Sequence, residues 1–248
     1  MLSRFFAPIG SYFLLMRKVF SRPEKFRLYK RRILNEMWDL GFTSIVIVLI
    51  ISIFIGAVIA IQMALNLESP FIPKDLIGYA TREIIVLEFS STIVALILAG
   101  KVGSSIASEI GTMRITEQID ALEIMGVNSA SYLILPKIIS SVLFFPFLTI
   151  LSMGVGIAGG YAVAMFTDVI EVNDFLTGIR YALNDFYFVY ALIKAAVYAF
   201  LITSIAGFYG YYAQGNSLEV GRASTQAVVT SCIAILASDL ILTQLLLT

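Results

Sequence analysis

Apolar residues along this chain fall into long blocks, and the blocks have the length a bilayer demands. Residues 40–67 carry no charge, and about 20 mostly apolar residues wound as a helix cross the hydrocarbon core of a membrane. That run closes at Glu68, where Pro70 and Pro73 mark a short turn. A second block, 82–105, holds Glu88 and ends around Gly100, Lys101 and Gly103. The third, 138–167, is again free of charge and is followed by Asp168, Glu171, Asp174 and Asp185. A fourth, 186–212, contains Lys194, and a fifth, 223–247, contains Asp239. The pattern predicts an all-α membrane protein with five transmembrane helices in a domain over residues 40–248.

Residues 1–39 read differently, as an interfacial amphipathic region. Phe5, Ile9, Tyr12, Met16 and Val19 are spaced by four and three, which gathers them on one helical face, with Arg4, Arg17 and Lys18 near the ends. Ser21 and Glu24 have capping-box spacing and Pro23 suits an early helical position, so a second helix is expected there, carrying Arg27, Lys30, Arg31 and Arg32 towards lipid headgroups. A basic tail that is merely solvated is the plainer reading, and the regular stripe argues against it. More than half of the 17 Lys and Arg residues precede the first span, so the positive-inside rule puts the N-terminus in the cytoplasm. Alternation over five spans then makes the C-terminus, the 68–75 turn and the acidic 168–185 segment periplasmic, while 101–137 and 214–222 are cytoplasmic.

Between the second and third spans lies a short amphipathic pattern over about 115–126. Ile115, Ile119, Leu122 and Met125 recur at helical spacing among Glu117, Gln118, Asp120 and Glu123, with Gly126 as a stop. Such a helix either docks into a groove on a cytoplasmic partner or packs beneath its own membrane domain. Pattern alone leaves both open.

Composition narrows the chemistry. Only 14% of residues are charged and 59% are hydrophobic, and the formal net charge of +0 gives no reason to expect nucleic acid. The chain has 0 histidines, which excludes His-dependent nucleophiles, imidazole relays and His-held metals built from this chain alone. Its single cysteine, Cys232, sits in an apolar run and reads as a buried small residue. The first apolar stretch lacks a small-residue cleavage site, so retention of the N-terminus is expected. The Gly100-Lys101 pair has neither the preceding P-loop glycine nor the following Ser or Thr, so no nucleotide site is expected. No cofactor or metal is called for, and any ATP-derived energy must come from a separate subunit.

The stretch AGKVGSSIASEIGTMRITEQIDALEIMGV, residues 99–127, closely resembles the signature of MlaE/YrbE permeases. Further blocks follow in family order: Pro136, Pro146, Leu148 and Thr149, then Gly156, Gly159 and Gly160, then Tyr209 to Tyr211, Gly221 to Ala223, Val228, Val229 and Asp239. The resemblance covers nearly everything after residue 40. It implies a homodimeric, non-catalytic permease of a bacterial inner-membrane ABC system, with a separate cytoplasmic ATPase and a periplasmic MCE-domain protein, moving phospholipids or related lipids between the inner membrane and periplasmic carriers. It also implies that Glu117, Ile119, Asp120, Leu122 and Glu123 belong to the coupling helix that meets the ATPase. No motif specifies the lipid species, the transport direction or the presence of a small regulatory subunit.

Many relatives carry Arg-Glu-Phe-Gly-Pro where this chain reads Leu87, Glu88, Phe89, Ser90, Ser91. Glu88 is kept, the arginine and proline are not, and Arg82 with Glu83 stands one to two turns earlier. An ionisable group at membrane depth costs roughly 2.5–3.5 kcal/mol unless paired or hydrated. For Glu88 this favours a cavity wall near a lipid headgroup; for Lys194 and Asp239 it favours an interhelical pair or hydrogen bond. The outward ends of the first two spans, with Ile61, Leu65, Phe71, Glu88 and Phe89, are the expected lipid pocket. Gly156 and Gly160 form a small-xxx-small step for close helix packing. An ion-coupled secondary transporter or channel using Glu88, Lys194 and Asp239 is the alternative reading.

Overall fold

The computed structural model describes residues 2–21, 26–67, 73–167 and 169–247, with side chains described from residue 9 and, after the first break, from residue 29. Among these the chain is helical without strands. It opens with α1 (Leu2–Phe20) and α2 (Phe26–Glu36), which runs through a π-helical turn at Met37–Phe42 into α3 (Thr43–Asn66). Next come α4 (Asp75–Ile84), a π-helical segment at Ile85–Ile93, α5 (Val94–Leu98), a second π turn at Ala99–Gly103 and α6 (Ser104–Ile115), together one unbroken helical path. The short α7 (Gln118–Ile124) precedes α8 (Ser129–Phe166), α9 (Val172–Arg180), α10 (Asp185–Tyr211) and α11 (Ser217–Leu247).

The five membrane-length helices expected from the sequence are present, over Tyr29–Asn66, Asp75–Ile115, Ser129–Phe166, Asp185–Tyr211 and Ser217–Leu247. At 1.5 Å per residue the 38 residues of the first and third run to about 57 Å, far more than the ~30 Å hydrocarbon core. Pro136 and Pro146 lie inside α8, which continues through both; prolines are tolerated in membrane helices because neighbouring groups re-satisfy the freed carbonyls. Pro23 and Glu24 of the capping pattern and Pro70 of the turn lie outside the described residues, as does the side chain of Phe5.

The chain divides into two compact units, 1–43 with 95–144 and 196–248, and 44–94 with 145–195. In the first, α1 buries Leu15, Met16 and Val19, and the Tyr12 hydroxyl pairs with Ser204 at 2.8 Å. The buried Lys137 ammonium donates to both Glu36 oxygens at 2.9 and 2.8 Å and to Glu109 at 2.7 Å, joining α2, α6 and the start of α8. In the second unit α3 and α8 cross closely enough that a Cβ on Gly56 would overlap the Gly156 carbonyl oxygen. Gly159 and Gly160 extend that contact to Ile53 and Ala60, so the small-residue step does bring helices together. The α4 and α9 helices pack around Phe175, which is 0% exposed. Arg82 closes α9: its Nη1 donates to the Ile179 and Tyr181 carbonyls, both at 2.7 Å, and its Nη2 to Ala182 at 3.3 Å. A guanidinium on the last carbonyls of a helix satisfies acceptors that have no intrahelical partner.

Candidate functional site

The second membrane helix is π-wound from Ile85 to Ile93, and Glu88 sits in that segment. A π-helical insertion shifts the register of side chains that follow it and is frequent at functional sites. Both Glu88 carboxylate oxygens lie 3.1 Å from the Lys194 ammonium on α10. Lys194 also donates to the Leu87 carbonyl at 3.3 Å and lies 4.9 Å from the centre of the Tyr190 ring. Thr92 donates its hydroxyl to Glu88 at 3.2 Å. Lys194 is 0% exposed while Glu88 is 42% exposed, so the pair buries its cation and presents one edge of its anion. The expected interhelical pair for Lys194 is the arrangement found. Asp239 accepts a 2.6 Å bond from Tyr198, a hydrogen bond between α11 and α10.

Arg82 does not reach Glu88. Its guanidinium pairs with Glu83 and caps α9, so Lys194, not Arg82, is the cation that meets Glu88. Sequence spacing gave no sign of it, because the two residues are far apart in the chain and only helix packing joins them.

Phe89 lines an apolar cavity of about 250 Å³ with Phe54, Ile55, Val58 and Gln62 of α3. Ile61 and Leu65 continue the same α3 stripe as Phe54 and Val58, at spacings of four, three and four, and are exposed. Of the five expected pocket residues, the structure brings Phe89 to the cavity wall and Ile61 and Leu65 onto the α3 stripe beyond it, while Glu88 is not among the residues that line the cavity. Phe71 lies outside the described residues. An apolar cleft of this kind suits hydrocarbon.

At the other motif, Ile115 closes α6, Glu117 adopts a left-handed backbone (φ 61°), and α7 begins at Gln118. The helix ends in a Schellman motif on Gly126 (φ 78°), with Val127 N–H bonded to Leu122 at 3.1 Å and Gly126 N–H to Glu123 at 2.9 Å. Ile119 is 0% exposed and belongs to the chain's own interior; Leu122 is half-buried. The apolar surface α7 presents outward is instead Ile124, 87% exposed, and Met125, 68% exposed. Asp120 pairs with Arg114 at 2.7 Å.

Glu123 is the centre of an internal network. It accepts bonds from Lys18 at 2.8 Å, Ser129 at 2.8 Å and Tyr211 at 2.9 Å. Those donors, Lys18 foremost, hold its carboxyl down to about 2. Asn128 accepts from the Ser131 N–H at 3.3 Å and donates to the Lys18 and Ser21 carbonyls at 2.9 and 2.8 Å. One carboxylate and one carboxamide thus tie the end of α1 to α7, α8 and α10. Sequence reasoning placed Glu123 at a partner interface and missed Lys18, Asn128 and Tyr211, since nothing local links α1 to this block.

A family model described as "Permease MlaE" matches residues 33–245. The chain is similar to a protein of Rickettsia bellii named probable ABC transporter permease protein, 36% identical over 88% of this chain and 84% of the relative. It is similar to the Haemophilus influenzae intermembrane phospholipid transport system permease protein MlaE, 30% identical over 98% of this chain and 93% of that one. A Synechocystis probable ABC transporter permease protein is 34% identical over 99% of this chain and 93% of its own length.

Proposed function

This chain belongs to the MlaE permease family, and from that premise we propose that it is the membrane subunit of an ATP-driven transporter moving phospholipids or related lipids between the inner membrane and periplasmic carriers. The observation that carries the lipid reading is the apolar cavity walled by Phe89 of the π-wound segment and by Phe54, Ile55 and Val58 of α3; the Glu88–Lys194 pair belongs to the same segment without lining that cavity. Ionisable residues at membrane depth pair with one another and commonly mark the path of a polar group, which gives the Glu88–Lys194 pair a place in this reading. The named relatives are ABC transporter permeases, which sets aside the ion-coupled carrier.

Residues 1–39 form an interfacial region on a permease domain of residues 40–248, with a cytoplasmic N-terminus and a periplasmic C-terminus. A separate ATPase binds the coupling helix α7, where Glu117, Ile124 and Met125 offer exposed charge and apolar area. In this arrangement Asp120 and Leu122 lie at the edge of the contact, while the buried Ile119 anchors the helix and Glu123 ties it to α1. Two copies of the chain form the permease, an MCE-domain protein receives or delivers lipid on the periplasmic side, and a small regulatory subunit is compatible with this scheme.

Transfer of phospholipid from vesicles containing the assembled complex, with and without ATP, tests the reading. The double variant Glu88→Gln with Lys194→Met, which leaves no charge behind in the interior, should assemble with its partners yet lose lipid transfer. If it assembles poorly while the residual complex transfers lipid normally, the pocket assignment is wrong. A reporter fused after residue 248 should be periplasmic, and a cytoplasmic signal would remove the five-span orientation.

A further inference from the structure

A second apolar cavity, sharing no residue with the one at Phe89, opens between α1, α10 and α11. It measures about 290 Å³ and is walled by Ile9 and Tyr12 of α1, Leu201, Ile205 and Phe208 of α10, and Thr230 of α11. Its hydroxyls are already satisfied: Tyr12 pairs with Ser204 at 2.8 Å and Tyr209 with Thr230 at 3.0 Å. What remains is hydrocarbon surface with no polar demand. Phe208 and Tyr209 also wall an adjoining cavity of about 440 Å³. There the lining turns polar, with Gln214, Glu219, Arg222 and Gln226 around the α10–α11 turn. Each cavity is of the order of a small-molecule site, which runs to roughly 300–1,000 Å³.

An apolar slot that opens into a polar mouth matches one molecule a membrane supplies in excess. We propose that this cleft holds a glycerophospholipid from the leaflet on the side of the basic N-terminal segment, one acyl chain lying against Ile205 and Phe208 and the headgroup at Arg222 and Glu219. The mouth carries both signs of charge. Arg222 is 64% exposed with Nη1 on Glu219, and a guanidinium fork is suited to a phosphate. Glu219, 42% exposed, is suited to an ammonium. A headgroup bearing phosphate and ammonium together, as in phosphatidylethanolamine, satisfies both, whereas an anionic headgroup without an amine meets Glu219 as a like charge. The outer side of α1 fits the same surroundings: Phe13 and Leu14, each 66% exposed, point away from the protein as lipid-facing residues do.

The test uses the full chain reconstituted in vesicles of phosphatidylethanolamine and phosphatidylglycerol. A trace of either lipid carries a diazirine in one acyl chain, and labelled peptides are mapped after irradiation. The phosphatidylethanolamine probe should label peptides of α1 and of 201–209 about fivefold more than the phosphatidylglycerol probe, a difference near 1 kcal/mol. Ile205→Trp should cut that labelling about as much while labelling around Phe54 and Phe89 is unchanged. Arg222→Gln lies outside the apolar packing, and it should abolish the preference between the two probes. Unchanged labelling in Ile205→Trp, or equal labelling by both probes in the natural chain, overturns the proposal. So does efficient inter-copy cross-linking by Ile205→Cys in a Cys232→Ser background, which would show a second copy in place of lipid. Because labelling at Phe89 is read in the same experiment, failure here is separable from failure of the transport pocket.

Discussion

Neutralising Glu88 should destabilise the protein chiefly through the lysine left behind. Lys194 is 0% exposed, and its ammonium is 3.1 Å from each carboxylate oxygen. Unit charges at that separation attract by about 5 kcal/mol at an effective dielectric near 20. Removing one member of a buried pair costs about 3–5 kcal/mol in general, because a charge stays behind without its partner. Here Glu88 is 42% exposed, and the Leu87 carbonyl and Tyr190 ring remain near the ammonium. Solvent screening and those residual contacts bring the expected loss for Glu88→Gln down to about 2 kcal/mol. Adding Lys194→Met removes the stranded charge. The double variant should therefore be more stable than the sum of the single losses predicts, by at least about 1 kcal/mol. The assay is unfolding of the detergent-solubilised chain by SDS titration in mixed micelles, for the natural protein, both single variants and the double variant. Additive losses within about 0.5 kcal/mol would refute the pairing as an energetic unit. Lipid transfer by the double variant separates the roles: recovered stability without recovered transfer is expected, and transfer at the natural rate would make the pair structural.

Gly56→Leu should prevent stable folding, because a Cβ there overlaps the Gly156 backbone, whereas Gly10→Ala, with nothing within 4 Å of the added carbon, should be neutral in the same thermal scan. Glu123 is depressed from 4.5 to about 2, so its contribution is present above its unfolded value and is lost as pH falls through the folded one. The link between α1 and α7, read by a spin-label distance, should hold at pH 5, weaken below about 4 and be gone near 2, and Glu123→Gln should flatten that profile. Ile124→Asp together with Met125→Asp should weaken ATPase co-purification by about 2 kcal/mol while the permease keeps its own assembly state; unchanged co-purification would move the docking surface elsewhere.

Membrane class, the number of spans and the family were legible in the sequence. Long uncharged runs and a contiguous block at 99–127 are local signals, and hydrocarbon leaves a backbone little choice but helix. Glu88 stood out for the same reason, as a carboxylate inside an apolar run. Its partner was not legible, because Lys194 lies a hundred residues away and meets it only where α10 packs on the second span. The π winding at 85–93 likewise has no composition of its own: no proline or glycine marks it, and it arises from how that helix packs. On α7 the amphipathic count found the helix but not which apolar residues turn outward. Ile119 is buried and Ile124 and Met125 are exposed because the left-handed Glu117 sets the angle at which the helix leaves α6. Glu123 read as surface charge until α1 supplied Lys18 and α10 supplied Tyr211. Periodicity fixes what an element is and which residues share its face; which face meets protein, lipid or partner depends on contacts between residues far apart in sequence, and only the tertiary structure decides those.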